Sequence, residues 1–77
     1  MKWVLYERLR AATAAGTSCA VVTRLADGAQ AFFDGERLEG AVDLVDAQRA
    51  AVRRMLVAGR SGMLPGEQDL FVRSYAR

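Results

Sequence analysis

The spacing of apolar positions changes along the chain, and each change marks an element. Leu5, Leu9 and Ala12 recur at i, i+4 and i+7, with Trp3 and Tyr6 alongside. Glu7, Arg8 and Arg10 fall mostly off that stripe, so residues 1–15 are predicted as a helix. Gly16 is a natural stop, because glycine takes a positive φ without a Cβ clash. Residues 20–25 are rich in β-branched side chains and read as a strand. Asp27-Gly28 follows, a type I′ hairpin signal, and residues 29–33 return as the second strand. Asp34-Gly35 repeats the turn chemistry and leads to a third short strand over residues 36–39.

Gly40 punctuates, and Asp43 is placed to cap a second helix, with Asp46 in the first turn where the dipole favours a negative charge. Leu44, Val45, Ala51, Val52, Met55 and Leu56 form its apolar face, Arg53 and Arg54 sit towards its C-terminal end, and Gly59 ends it. Residues 63–66 read as a loop or as a strand end breaking into a turn, and residues 69–75 alternate as a last strand. Leu70 and Val72 point one way, Phe71 and Tyr75 the other, so this strand expects cover on both sides.

The predicted fold class is α+β: a small, mainly antiparallel sheet, made of a hairpin or meander plus the C-terminal strand and packed by two helices. Phe32 and Phe33 are adjacent in a strand and face opposite sides. One of them is therefore expected to leave the local core or meet a partner. With Phe71 and Tyr75 they are the candidate interaction residues.

Length sharpens this picture. At 77 residues the chain is a single domain spanning 1–77. A domain of this size buries only about 60% of its unfolded surface and is stable by about 3–5 kcal/mol. That margin is small for holding a strained catalytic constellation, and a partner domain or second copy would help. The apolar share of 52% against 26% charged is a globular balance, not a disordered one.

Eleven Lys and Arg face nine Asp and Glu, a net charge of +2. Ten of the eleven are Arg, which fits the coding bias of a GC-rich genome as well as an electrostatic role. An excess of two charges is slight for a nucleic-acid partner. The chain has no His, which excludes His-based catalysis and His metal sites, and its one cysteine, Cys19, cannot form an internal disulfide. No apolar run approaches the roughly 20 residues needed to span a bilayer. Glu7, Arg8 and Arg10 interrupt any signal-peptide core, so a cytoplasmic location is expected.

Candidate chemistry is sparse. Cys19 enters the first strand just after a helix end, where the dipole has the wrong sign to activate a thiol, so it reads as a small buried hydrophobe. Asp43 with Asp46 and Glu36 with Glu39 are close carboxylate pairs, placed where capping and solvation are the ordinary roles. Gly59-Arg60-Ser61-Gly62 is the nearest approach to a phosphate cradle, but it follows a helix rather than opening one. Arg49, Arg53 and Arg60 approximate a basic line without the interleaved aromatics that stack on bases. An enzyme is not expected.

Three segments together resemble one family. They are Cys19-Ala-Val-Val-Thr-Arg-Leu-Ala-Asp-Gly-Ala-Gln-Ala, Leu56-Val-Ala-Gly-Arg-Ser-Gly-Met, and Asp69-Leu-Phe-Val-Arg-Ser-Tyr-Ala-Arg. In that order they are similar to the N-terminal domain of the XdhC/CoxI family, the accessory proteins of xanthine dehydrogenase and related molybdenum hydroxylases. The resemblance covers most of the chain and is similar to the short-form members in particular. It implies a protein that binds the molybdenum cofactor, protects it and helps deliver its sulfurated form, acting with a cysteine desulfurase. It also implies that this domain is the N-terminal part of a longer protein, packing on its own Rossmann-like domain or on a second subunit. Longer family members carry a Gly-Gly-Cys segment after the hairpin. Here that stretch reads Arg37-Leu-Glu-Gly-Ala-Val, and Cys19 stands elsewhere and does not inherit the role. No cofactor is expected on this domain alone, and Cys19, Arg60 and Ser61 remain its weak candidates for touching one.

Overall fold

The computed structural model describes residues 3–16, 18–64, 66 and 68–75, with the side chains of residues 3–6 and 13 left aside. The chain runs α1 (Trp3–Ala14), β1 (Cys19–Arg24), β2 (Gln30–Phe33), β3 (Leu38–Gly40), α2 (Asp46–Ala58), β4 (Gly62–Met63) and β5 (Leu70–Tyr75). The five strands form one sheet in the order β3-β2-β1-β5-β4, and every neighbouring pair is antiparallel. The α+β class is correct, with β1-β2-β3 as a meander and β5 on the other edge of β1. β4 realises the strand-end alternative at Met63, and its two residues are too few to show alternation.

The register separates the two faces of the sheet. Ala20 pairs with Phe33 and Val22 with both Ala31 and Val72. These side chains share a core with Val52 and Leu56 of α2. The alternate positions, Cys19 and Phe32, pack with Leu9 and Ala12 of α1 and with Tyr75. The sheet is thus a middle layer, with α1 on one face and α2 on the other. α2 begins after β3 at one edge of the sheet and delivers the chain to β4 at the opposite edge.

This layering corrects the reading of the phenylalanine pair. Phe32 and Phe33 do face opposite sides, but Phe33 is fully buried and Phe32 only 6% exposed. The partner for Phe32 is α1 of the same chain, so neither ring is left for an outside surface. Phe71 and Tyr75 are half-buried on the α1 face, where Arg73 stands 5.7 Å over the Tyr75 ring. The expected contributions of Trp3, Leu5 and Tyr6 to α1 packing lie outside the described side chains.

Two local expectations also change. Asp27-Gly28 does not make a two-residue I′ turn, which would need a positive φ at both central residues. Only Gly28 has one, at 75°, and the connection is a five-residue loop closed by Gly28 N–H donating to the Arg24 carbonyl at 2.7 Å. Asp27 instead accepts the Ala29 amide and two bonds from the Arg24 guanidinium, at 3.1 and 2.8 Å, which a tight turn would not permit. At α2, Asp43 stands too early to cap. The N-cap is Val45, whose N–H donates to Gln48 Oε1 at 2.9 Å, and its side chain is exposed rather than part of the apolar face.

The end of α2 follows the sequence. Gly59 sits at φ 67°, and its N–H and that of Arg60 return to the Leu56 and Met55 carbonyls, the pattern of a Schellman stop. Gly40 is required for a different reason: a Cβ there would come within 2.5 Å of the Gln30 carbonyl oxygen.

Two outcomes are expected from this packing. Phe32→Ala and Phe33→Ala should each leave the chain largely unfolded even without urea, because the loss of about 3–5 kcal/mol for a buried ring matches the whole stability of a domain this small. An unchanged urea midpoint for Phe32→Ala would return that ring to the surface. Asp27 is held down to about 2, first by the Arg24 hydrogen bonds and then by the Ala29 amide. Because its folded pKa is depressed, its contribution is present above the unfolded value and is lost as pH falls towards 2. NMR titration of the Asp27 carboxyl should locate the midpoint there, and Arg24→Ala should raise it.

Candidate functional site

At one end of the sheet β1 begins and β2 and β5 finish, as the Cys19–Tyr75 and Ala20–Phe33 pairings require. The C-terminal half of α2 arrives at this same end. Its Arg53 Nε–H donates to the Gly35 carbonyl at 2.9 Å, and the guanidinium lies 6.0 Å from the Phe33 ring centroid. A carbonyl and a π face together hold this cation in one orientation. Between α2 and the β2–β3 turn lies an open cleft of about 580 Å³, lined by Ser18, the Asp34–Glu36 turn, Arg53, Leu56 and Val57.

Asp34 shapes the turn. Its Oδ1 accepts the Glu36 amide at 2.9 Å and the Arg37 amide at 2.7 Å. Desolvation pulls its pKa up, but the Arg37 and Glu36 amides outweigh it and the carboxyl stays below its ordinary value. The cleft therefore offers a fixed guanidinium, two carboxylates, a hydroxyl and an apolar wall. Such a set suits recognition of a polar and apolar surface.

The sequence-predicted candidates are not brought together here. Cys19 is fully buried on the α1 face, whereas the cleft opens on the α2 face. Burial, reinforced by the Asp34 carboxylate, pushes its thiol pKa up, which keeps it protonated and unreactive. Arg60 and Ser61 are exposed, but Ser61 Oγ accepts the Ser74 N–H at 2.9 Å. The Gly59 and Arg60 amides already serve the helix stop, so they are not open to a phosphate. The Ser74 hydroxyl is buried without a hydrogen-bond partner among the described residues, and we have no physical account of it.

The paired carboxylates separate as well. Glu36 lines the cleft, while Glu39 lies beside Phe32 on the other face and accepts from Arg8 at 3.0 Å. The basic line also breaks. Arg60 has left the helix, Arg49 Nε donates to the Leu44 carbonyl at 3.3 Å, and Arg53 is engaged with Gly35. Among the described residues no group of three or more His, Cys, Asp or Glu is placed to hold a metal, and no helix is long and apolar enough to cross a membrane.

Two features escaped the sequence reading. The Arg53–Gly35–Phe33 contact joins residues far apart in the chain and has no local signal. Val57, 85% exposed, had one: at 100° per residue it falls opposite the Val52–Leu56 face of α2.

The sealed thiol gives a direct test. Alkylation of Cys19 should be slower in the native chain than in urea by about 10²–10³-fold, since a stability of a few kcal/mol limits opening. Equal rates would show that the α1 face is open.

Comparison with family models, with curated proteins and with solved structures finds no match for this chain.

Proposed function

We propose that this chain is the N-terminal domain of a molybdenum-cofactor accessory protein of the XdhC/CoxI kind, serving as a non-catalytic interaction domain in the cytoplasm. The observation that carries the reading is where the three resembling segments fall. Residues 19–31 make β1, its loop and the start of β2; residues 56–63 make the end of α2 and β4; residues 69–77 include β5. In the sheet these are four consecutive strands, β2-β1-β5-β4. Segments separated along the chain thus belong to one packed unit, as a shared domain fold would require.

We infer that this domain does not hold the cofactor by itself, a reading supported by the state of its candidate residues. The one thiol is sealed beneath α1, and the Gly59 and Arg60 amides are already donated within the fold. Cofactor binding is therefore assigned to the Rossmann-like domain that the resemblance implies. A domain joined beyond β5 would emerge at the sheet end that carries the cleft, beside Ser18, Asp34, Glu36 and Arg53. The partners of the proposal are that domain or a second subunit, with a molybdenum hydroxylase and a cysteine desulfurase as the wider assembly. The basic nucleic-acid reading loses support, because two of its three arginines bond to the chain's own carbonyls.

The test uses the full product of the gene with and without residues 1–77. Metal analysis should find molybdenum retained in both forms. Co-purification with the molybdenum hydroxylase of the same organism should be lost on deletion. A gene product without molybdenum, or one that holds the hydroxylase equally well without the domain, would overturn the proposal.

A further inference from the structure

The cleft at the C-terminal end of α2 holds opposite charges that do not neutralise one another. Arg53 Nε–H donates to the Gly35 carbonyl at 2.9 Å. Asp34 and Glu36 are the chain neighbours of Gly35, so their Cα atoms stand about 3.8 Å from its own on either side. All three charged side chains belong to residues lining one cleft of about 580 Å³. Yet among the described residues Arg53 makes no ion pair with Asp34 or Glu36.

Two of the three are held by other groups. Arg53 is fixed through Nε to a carbonyl, and its guanidinium lies 6.0 Å from the Phe33 ring centroid. Asp34 Oδ1 accepts the Glu36 and Arg37 amides. The Glu36 carboxylate has no hydrogen bond or ion pair among the described residues. What remains for a ligand is the N–H groups on the terminal nitrogens of Arg53, Asp34 Oδ2 and the Glu36 carboxylate. Ser18 adds a hydroxyl, and Val57, 85% exposed, stands beside Leu56 as an apolar wall.

We propose that this cleft binds a free α-amino acid as its zwitterion. The ligand carboxylate sits on the Arg53 guanidinium, its ammonium between Asp34 and Glu36, and an apolar side chain against Val57. The site goes beyond the reading of the chain as an accessory domain and does not depend on it.

Charge selects the ligand class. A simple anion on Arg53 would meet two carboxylates nearby, and a simple cation on those carboxylates would meet the guanidinium. A small molecule carrying both charges satisfies all three groups at once. In an α-amino acid a single carbon separates ammonium from carboxylate, which suits charges borne by neighbouring residues of one turn and the arginine fastened to it. The forked N–H groups of a guanidinium match a carboxylate. The cleft is open to water, which screens each pair, so the dissociation constant is expected on the order of 1 mM.

The experiment is an NMR titration of the isotope-labelled 77-residue chain with L-leucine to about 20 mM, well past that constant. The amide signals of Ser18, Gly35, Glu36 and Val57 should move along one saturating curve. N-acetyl-L-leucine, which lacks the ammonium, and L-leucinamide, which lacks the carboxylate, should each bind about tenfold more weakly or worse. Glycine should bind about three- to tenfold more weakly, because it leaves Val57 uncovered. Glu36→Gln changes a side chain with no partner in the fold and should weaken L-leucine by about threefold or more while the other signals stay in place. Arg53→Met should remove detectable binding. Where Arg53→Met loosens the turn, Glu36→Gln and the two analogues keep the test decisive.

L-leucinamide bound as tightly as L-leucine would make the cleft a plain cation site and overturn the proposal. An affinity for L-leucine unchanged in both variants would overturn it too, as would the absence of any shift at these residues. A chain that ignores L-leucine, while its full gene product still needs residues 1–77 to hold the hydroxylase, would remove the amino-acid site and leave the proposed function standing.

Discussion

Strand β1 cannot meet water on either face, and the rest of the structure follows from that constraint. Ala20 and Val22 are fully buried towards α2, while Cys19 and Val21 are at most 3% exposed towards α1. A strand dry on both sides needs cover on both sides and hydrogen bonds along both edges. The bonds come from β2 and β5, which pair with β1 over four and six residues. The cover comes from one helix before β1 and one that crosses the sheet from β3 to β4. Among the described residues there are no other elements to supply them.

Stability therefore rests on apolar burial and backbone pairing rather than on charge. Phe33, Leu64, Val22, Val52 and Val72 are the largest side chains fully withdrawn from solvent, and most of them meet in the core between the sheet and α2. The described ion pairs, Arg8–Glu39 and Arg24–Asp27, join side chains that are partly or largely exposed. Pairs screened by water in this way add little to stability. What the charged residues do instead is set local geometry. Asp34 and Asp27 tie down the two turns of the meander, and Arg53 fastens α2 to the nearer one.

That division of labour bears on function. The groups that looked chemically able are engaged within the fold: the thiol by burial, the Gly59 and Arg60 amides by the helix stop, two arginines by carbonyls. The surface that remains open is the outer side of α2 together with the cleft at its C-terminal end, and the exposed Val57 belongs to both. A domain organised this way is suited to being held against something.

The amino-acid sequence by itself determined which residues must be dry and where the chain must turn. Helical spacing placed α2, the two-faced apolar pattern of residues 70–75 marked a doubly covered strand, and Gly59 marked a helix stop. These signals are local, because they depend on the period of the backbone and on the φ that a glycine tolerates. Tertiary structure alone decided which element dries which face. It put α1 over Phe32 and α2 over Phe33, inserted β5 beside β1, and lengthened the Asp27-Gly28 connection so that Asp27 reaches Arg24. An apolar side chain records that it needs cover but carries no address for its partner, so the assignment emerges only when all the strands and both helices are satisfied together.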